Sequence, residues 1–186
     1  MDARNLHFLL AVCVFSAALL AIAGYYLIRT RRVSHSTWED LLDELAFVNR
    51  NNIALIAHDL IDDPNDPTRP TDGRELDPSQ VWTLIGGMDG LEILQENCEV
   101  LIKLASYLQQ FYPEAIVVAE QLRLNARELE WHIGRLKGAA QVDKLESVFP
   151  DYAQRAVTTY YKMTRSLITL YQQLDQSRLA ALESAL

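Results

Sequence analysis

Cysteine is nearly absent from this chain of 186 residues, which contains only Cys13 and Cys98. Cys13 falls within an uncharged N-terminal run, whereas Cys98 lies among apolar residues of a predicted helix. We therefore expect no disulfide, which excludes a small secreted fold held together by disulfide bonds. Because a buried free cysteine usually behaves as a small hydrophobic residue, we also predict no reactive thiol at Cys98.

The chain also lacks the residue patterns that carry catalysis. Its four histidines belong to no Ser-His-Asp set, zinc-ligand spacing or glycine-rich phosphate loop. Neither His58 nor His132 has the glutamate three residues earlier that carboxylate-bridged di-iron bundles use. The sequence therefore predicts no enzyme activity, no cofactor and no metal site.

Basic residues are scarce beyond the N-terminal region. The whole chain has 17 Lys and Arg against 25 Asp and Glu. Apart from Asp2, Arg4, Arg29, Arg31 and Arg32, which flank the uncharged run, 13 basic and 24 acidic residues remain, a net charge of −11. A domain of this charge lacks the basic face that phosphate neutralisation requires, so we exclude nucleic acid as a partner.

What the chain does have is one long apolar run, residues 6–28, with no acid, base or amide apart from His7. At about 1.5 Å per residue, a helix of this length covers the roughly 30 Å hydrocarbon core of a bilayer. We predict a single transmembrane anchor at 6–28, a short tail at 1–5 and a basic juxtamembrane linker at 29–35. Membrane lipid is thus one predicted partner, and side chains at the interface are expected to be Tyr25, Tyr26, Arg29, Arg31 and Arg32.

Basic residues near the ends of a span set its orientation. One arginine precedes the run and three follow it, which predicts an inner-membrane protein with its C-terminal domain in the cytoplasm. However, Ala21-Ile22-Ala23 before Gly24 has the spacing of a signal-peptidase site. The alternative is therefore a secreted or periplasmic protein, cleaved near Ala23.

Residues 36–186 have apolar positions at helical spacing and no pattern typical of a strand. Start signals at Ser36-Thr37-Trp38-Glu39 and Asp77-Pro78-Ser79-Gln80 mark the first two helices. Together with the prolines, they predict helices at about 37–61, 78–111, 113–137 and 150–182. The predicted fold class is all-α, with the transmembrane helix followed by an antiparallel, four-helix-bundle-like soluble domain.

Three details within the soluble domain give sharper expectations. Asn49 and Asn52 interrupt the apolar stripe of the first helix, so we predict buried amides that fix the packing register. A cluster of glycines, Gly86, Gly87 and Gly90, lies early in the second helix, and we favour close approach of a neighbouring helix over a kink. The acidic segment 62–77 contains several prolines and predicts an exposed loop, whose spacing fails the EF-hand pattern but leaves weak cation binding open.

Two short stretches resemble phosphorelay proteins. Ile56-Ala57-His58-Asp59-Leu60 resembles the H-box of sensor histidine kinases, and Leu136-Lys137-Gly138-Ala139 is similar to the end of a histidine phosphotransfer motif. These resemblances imply a phosphoacceptor role for His58 or His132. Both stretches depart from their families, because Pro64 comes one residue late after His58 and His132 lies two residues before the expected position.

We therefore predict a membrane-anchored helical scaffold or adaptor that binds a protein partner or self-associates, without catalysis. The alternative is a signalling element, either of the phosphorelay type or a ligand-sensing bundle. Aromatic side chains are frequent hot spots of protein interfaces. The aromatic residues expected to contact a partner are Trp82, Tyr112, Trp131 and Tyr161.

Overall fold

The computed structural model describes residues 10, 12–22, 24, 37–61 and 76–186. The chain has two compact units, Met1–Thr37 and Trp38–Leu186. Residues 12–22 of the first unit are helical, with their large apolar side chains exposed. Among the described residues, no helix is both long enough and apolar enough to cross a membrane.

Several predictions fall on residues outside the described ranges. They concern the tail at 1–5, the cleavage position at Ala23, the linker at 29–35 and the acidic loop from 62 to 75. The predicted interface residues Tyr25, Tyr26, Arg29, Arg31 and Arg32 also lie there. The predicted anchor at 6–28 is described only in part.

The second unit is built from helices alone in the ranges that the structure describes, which confirms the all-α prediction. They are α1 (Trp38–Asp43), α2 (Arg50–Leu60), α3 (Pro78–Ile85), α4 (Gly87–Gln109), α5 (Ala115–Ala140), α6 (Leu145–Leu174) and α7 (Gln176–Ala185). The third predicted helix, at 113–137, corresponds closely to α5.

The long helices α4, α5 and α6 pack against one another. Lys137, near the end of α5, pairs with Glu92 near the start of α4 at 2.6 Å. Arg123, in the first half of α5, donates to Ser106 near the end of α4 at 3.0 Å. Residue numbers therefore rise along one helix as they fall along the other, so α4 and α5 are antiparallel.

The short helices α1 and α2 complete the packing. α2 lies on α6 and runs against it, because Asp59 near its end accepts a hydrogen bond from Gln154 at 2.7 Å, whereas Arg50 at its start lines one groove with Arg165 and Ile168. α1 lies on α4. The segment 38–60 thus packs against both α4 and α6.

Leucines dominate the core between these helices. Their spacing along α4 and α5 follows the helical period, so one face of each helix is buried. The fully buried leucines of these two helices are Leu91, Leu94, Leu101, Leu104, Leu108, Leu122, Leu129 and Leu136. Cys98 is buried among them with its Sγ 3.6 Å from the Sδ of Met163, and burial raises the pKa of this thiol to about 12. The thiol is therefore protonated and packs as a small apolar group, as predicted.

The predicted helix at 37–61 is two helices, with an irregular segment from Glu44 to Asn49 between them. The buried side chain of Asn97 stabilises this break. Its Oδ1 accepts from the backbone N–H of Ala46 at 2.9 Å, and its Nδ2 donates to the carbonyl of Ala46 at 2.8 Å. One amide therefore satisfies both backbone groups that a continuous helix would have paired.

The prediction that Asn49 is a buried amide is wrong. Asn49 is exposed and caps the start of α2, where its side chain accepts from the N–H groups of Asn51 at 3.1 Å and Asn52 at 3.2 Å. Asn52 is half-buried, and its Nδ2 donates to the carbonyl of Leu84 at 2.9 Å. Asn52 therefore joins α2 to the last turn of α3.

Asn49→Ala is expected to lower the free energy of unfolding by about 1 kcal/mol, the usual contribution of an N-cap side chain. The control is Asn51→Ala, since Asn51 is exposed and its side chain makes no hydrogen bond within the described part of the chain. Urea unfolding followed by circular dichroism measures the free energy of unfolding of the two variants. Equal losses in the two variants would contradict the capping role.

The second predicted helix, at 78–111, is interrupted at Gly86, where φ is +84°, and Gly87, where φ is +66°. Gly86 is the left-handed C-cap of α3, a conformation that glycine adopts without a Cβ penalty. The favoured explanation, close approach of a helix, is wrong for Gly86, where an added Cβ would meet no atom within 4 Å. An added Cβ would lie 2.9 Å from the Trp82 ring at Gly87 and 1.8 Å from the carbonyl oxygen of Ile85 at Gly90, so α3 does approach these two glycines closely.

The last predicted helix, at 150–182, differs at both ends. α6 begins at Leu145, so Pro150 lies inside the helix instead of opening it. Pro150 cannot donate to the carbonyl of Glu146, but Glu146 is exposed, so that end of the helix is open to water. The helix ends at Leu174, and Asp175 separates it from α7.

Candidate functional site

The two candidate phosphoacceptor histidines lie on different helices, His58 on α2 and His132 on α5, and each contacts a tyrosine of α6. His58 projects from α2 toward Tyr161 of α6, with its Nε2 3.5 Å from the tyrosine hydroxyl. The two rings meet edge to face, with centroids 5.4 Å apart. His58 is half-buried in this contact.

His132 is buried on α5, with only 5% of its surface exposed. Its ring lies beside Tyr152 of α6, with centroids 5.8 Å apart, and its Nε2 is 3.7 Å from the carboxylate of Glu128 one turn earlier. The buried Nδ1 has no hydrogen-bond partner in the described part of the chain. Burial lowers the pKa of His132 below its ordinary value of 6.5 more than the nearby Glu128 raises it, so the ring is neutral at pH 7.

The lowered pKa of His132 predicts a loss of stability in acid. The folded protein binds this proton less readily than the unfolded chain, so the contribution is present above about pH 6.5 and is lost as the pH falls through the lowered pKa. Urea unfolding of the wild type and of His132→Gln is compared between about pH 5 and pH 8. We expect the wild type to lose more stability on acidification than the variant.

This comparison removes the contribution of carboxylates, which titrate in both proteins. The charges nearest to His132 are Glu128, Asp151 and Arg155, and all three remain in the variant. If the two proteins have parallel pH profiles, the lowered pKa of His132 is ruled out.

The predicted partner residues differ in their exposure. Trp131 is 56% exposed and Trp82 is 41% exposed, so both tryptophans offer surface to a partner. The ring of Trp82 also contacts that of Phe149 at a tilt of 55°, with ring centroids 4.4 Å apart. Tyr112 and Tyr161 are half-buried, so they offer less surface to a partner than the tryptophans do. Tyr161 also contacts His58.

Trp131 belongs to a row of exposed apolar side chains that sequence analysis missed. Val117 is 71% exposed and Leu124 is 58% exposed, and both lie on α5. The three residues are seven positions apart, so they lie along one line of the helix, which we call the α5 stripe. The signal in the sequence was the recurrence of apolar residues at a spacing of seven along this helix.

Charged residues of both signs border the α5 stripe. Glu120 and Arg127 lie along one side, whereas Glu114, Glu128 and Arg135 lie along the other. All five residues are exposed. Such a mixed border is typical of the rim of a protein interface.

A groove of about 270 Å³ lies between α2 and α6. Its lining includes Arg50, Arg165 and Thr164, with Ile53 and Tyr160 among the apolar contributors, and no aspartate or glutamate. Arg50 donates to the carbonyl of Glu183, whereas Arg165 makes no ion pair in the described ranges. Two cationic side chains in an otherwise acidic domain favour an anionic group.

The remaining chemistry of the described residues is limited. No three of their histidine, cysteine, aspartate or glutamate side chains are grouped so that they could hold a metal ion. Comparisons of the chain with protein-family models, curated proteins and solved structures give no match.

Proposed function

We propose that this protein is a membrane-anchored helical adaptor whose domain binds a protein partner or a second copy of itself. The α5 stripe is the observation that supports this most directly. Val117, Leu124 and Trp131 are each more than half exposed, on a helix whose opposite face is buried against α4 and α6. Since fully burying a side chain of this size contributes about 1.5 to 3 kcal/mol, an uncovered row favours a protein contact.

The proposed anchor is the apolar run at 6–28. In the part that is described, large apolar side chains such as Leu10, Phe15 and Leu20 are exposed. Exposure of such side chains to water is unfavourable, whereas lipid tails would cover them at no cost. The arginines after the run favour an inner-membrane location with the domain in the cytoplasm.

Membrane fractionation of the full chain tests the anchor. We expect the protein to remain with membranes after a high-salt wash and to be released by detergent. Changing Phe15→Arg and Leu19→Arg together should move it to the soluble fraction, because arginine is unfavourable at the centre of a span. A mature soluble chain that begins near Gly24 would instead establish the secreted alternative.

Crosslinking tests the adaptor role. A photoreactive side chain introduced at Leu124 in the full chain, expressed at its native level, should crosslink to a protein. The control is the same probe at Leu60, an exposed leucine on α2. Crosslinking that is equal at both positions, or absent from both, would count against a specific contact at the stripe.

The groove between α2 and α6 supports a ligand-sensing bundle as the second candidate. Arg50 and Arg165 favour an anionic ligand. Native mass spectrometry of the purified full chain should then show a bound small molecule that is lost in Arg165→Glu. The phosphorelay alternative has less support, because burial of His132 and the contact of His58 with Tyr161 restrict access of a phosphodonor.

A further inference from the structure

We infer that the α5 stripe is covered by the same stripe of a second copy, with the two α5 helices antiparallel and Leu124 at the two-fold axis. This rests on the proposed adaptor function and specifies its partner. α5 has 26 residues and is therefore about 39 Å long, which spans the whole row from Val117 to Trp131. A self-complementary patch of this kind is what a two-fold dimer requires.

The apolar residues match in this register. With Leu124 facing its own copy, Val117 is placed opposite the partner's Trp131, and the same contact occurs again by symmetry. The broad indole ring therefore covers the smaller valine, and two leucines meet at the centre. All of these side chains are more than half exposed in the single chain.

The charges match in the same register. In an antiparallel pair, each border of a stripe faces the same border of its partner. Glu120 then lies opposite the partner's Arg127 on one side, and Glu114 lies opposite the partner's Arg135 on the other. Symmetry doubles both pairs, so four attractive contacts offset the repulsion between two acidic domains.

A parallel arrangement of the two helices fits less well. It would place Trp131 against the partner's Trp131 and keep Glu114 about 32 Å along the helix from the partner's Arg135. In that arrangement, the attraction between charges bordering the stripe would come from Arg127 of one copy and Glu128 of the other. The order of charges along α5 therefore favours the antiparallel pair.

Sedimentation of the purified full chain in mild detergent measures the dimer. Leu124→Glu is expected to weaken dimerisation about 30-fold or more, because it places two like charges at the centre of the contact. The matched control is Leu60→Glu, since Leu60 is an exposed leucine on α2. Equal dimerisation of both variants and the wild type would overturn the inference.

Charge reversal identifies the second copy as the occupant. Glu120→Arg and Arg127→Glu should each weaken the dimer, because each creates like-charge pairs. The double variant carrying both reversals should restore most of it, since both pairs between positions 120 and 127 of the two copies are re-formed with their signs exchanged, although the pair of Glu120 with Arg123 of its own chain stays lost. A double variant that stays as weak as Arg127→Glu alone would overturn the antiparallel register, because in a parallel pair a glutamate at position 127 would repel the partner's Glu128 in both proteins.

Disulfide trapping tests the register directly, in a chain with Cys13→Ser so that buried Cys98 is the one native thiol left. Chains carrying Val117→Cys are mixed with chains carrying Trp131→Cys, and mild oxidation should link positions 117 and 131. Links between two copies of position 117 would overturn the inference. A membrane-bound monomer crosslinked to a different protein at Leu124 would also overturn it while leaving the adaptor proposal intact, whereas a soluble monomer without any crosslink removes both.

Discussion

Gly90→Ala is expected to lower the free energy of unfolding by about 3 kcal/mol, at the upper end of the usual effect of overpacking. A Cβ at this position would lie 1.8 Å from the carbonyl oxygen of Ile85 and 2.8 Å from its carbonyl carbon. Both atoms belong to the backbone, so no side-chain rotation relieves the clash. α3 or the start of α4 must move, which disturbs the buried side chains of Leu91 and Leu94.

Gly134→Ala is the control for this substitution, because a Cβ at Gly134 meets no atom within 4 Å. Alanine is favoured over glycine inside a helix by roughly 0.5 to 1 kcal/mol, so this variant should be more stable than the wild type. Urea unfolding measures both changes. Stabilisation by both substitutions would show that the backbone of α3 does not crowd position 90.

Tyr171→Phe is expected to lower the free energy of unfolding by about 2 kcal/mol. The buried hydroxyl of Tyr171 accepts a hydrogen bond from the indole Nε1 of Trp38 at 3.0 Å and donates to the carbonyl of Leu104 at 3.1 Å. Phenylalanine keeps the packing of the ring but leaves both of these groups without their partner. The hydroxyl therefore joins α1, α4 and α6 at one point.

Tyr152→Phe is the matched control, because the half-buried Tyr152 makes no hydrogen bond through its hydroxyl in the described ranges. Its free energy of unfolding should stay close to that of the wild type. Thermal or urea unfolding measures the stability, and tryptophan fluorescence reports the change around Trp38. Similar stability of the two variants would contradict the role of the Tyr171 hydroxyl.

Sequence analysis predicted the class of the fold because helical periodicity is local. The apolar positions of α4 and α5 repeat at three and four residues, which is sufficient to identify a helix with one buried face. The start of α3 was likewise encoded locally. Asp77 accepts from the N–H of Ser79 at 2.9 Å, and Gln80 accepts from the N–H of Asp77 at 3.1 Å, as the capping-box pattern predicts.

The breaks in the helices depend on contacts between residues far apart in the chain or on the backbone conformation of single residues. The spacing of apolar residues reports neither. The break between α1 and α2 depends on Asn97, which is distant in sequence from the Ala46 backbone that it pairs with. The turn at Gly86 requires a positive φ, and a glycine in a sequence is compatible with either a turn or a close contact. In both places the apolar pattern continued while the backbone changed direction.

The candidate interaction site was likewise predicted only in part from the sequence. Trp131 was predicted as a partner contact from its residue type, but Val117 and Leu124 were not predicted to be contacts, although both are more than half exposed. α5 also carries apolar residues outside its buried face, and its sequence does not say whether another helix of the domain will cover them. Only the packed structure leaves the α5 stripe exposed.

By itself, then, the sequence determined which segments become helices, where α3 starts and which leucines are apolar enough to be buried, since each depends on neighbours within one or two turns. The tertiary structure decided where helices break, how deeply His132 is buried and which apolar row stays uncovered. These features depend on contacts between residues far apart in the chain, such as Asn97 with Ala46 and Tyr171 with Trp38. These contacts stabilise the fold only once the helices have packed.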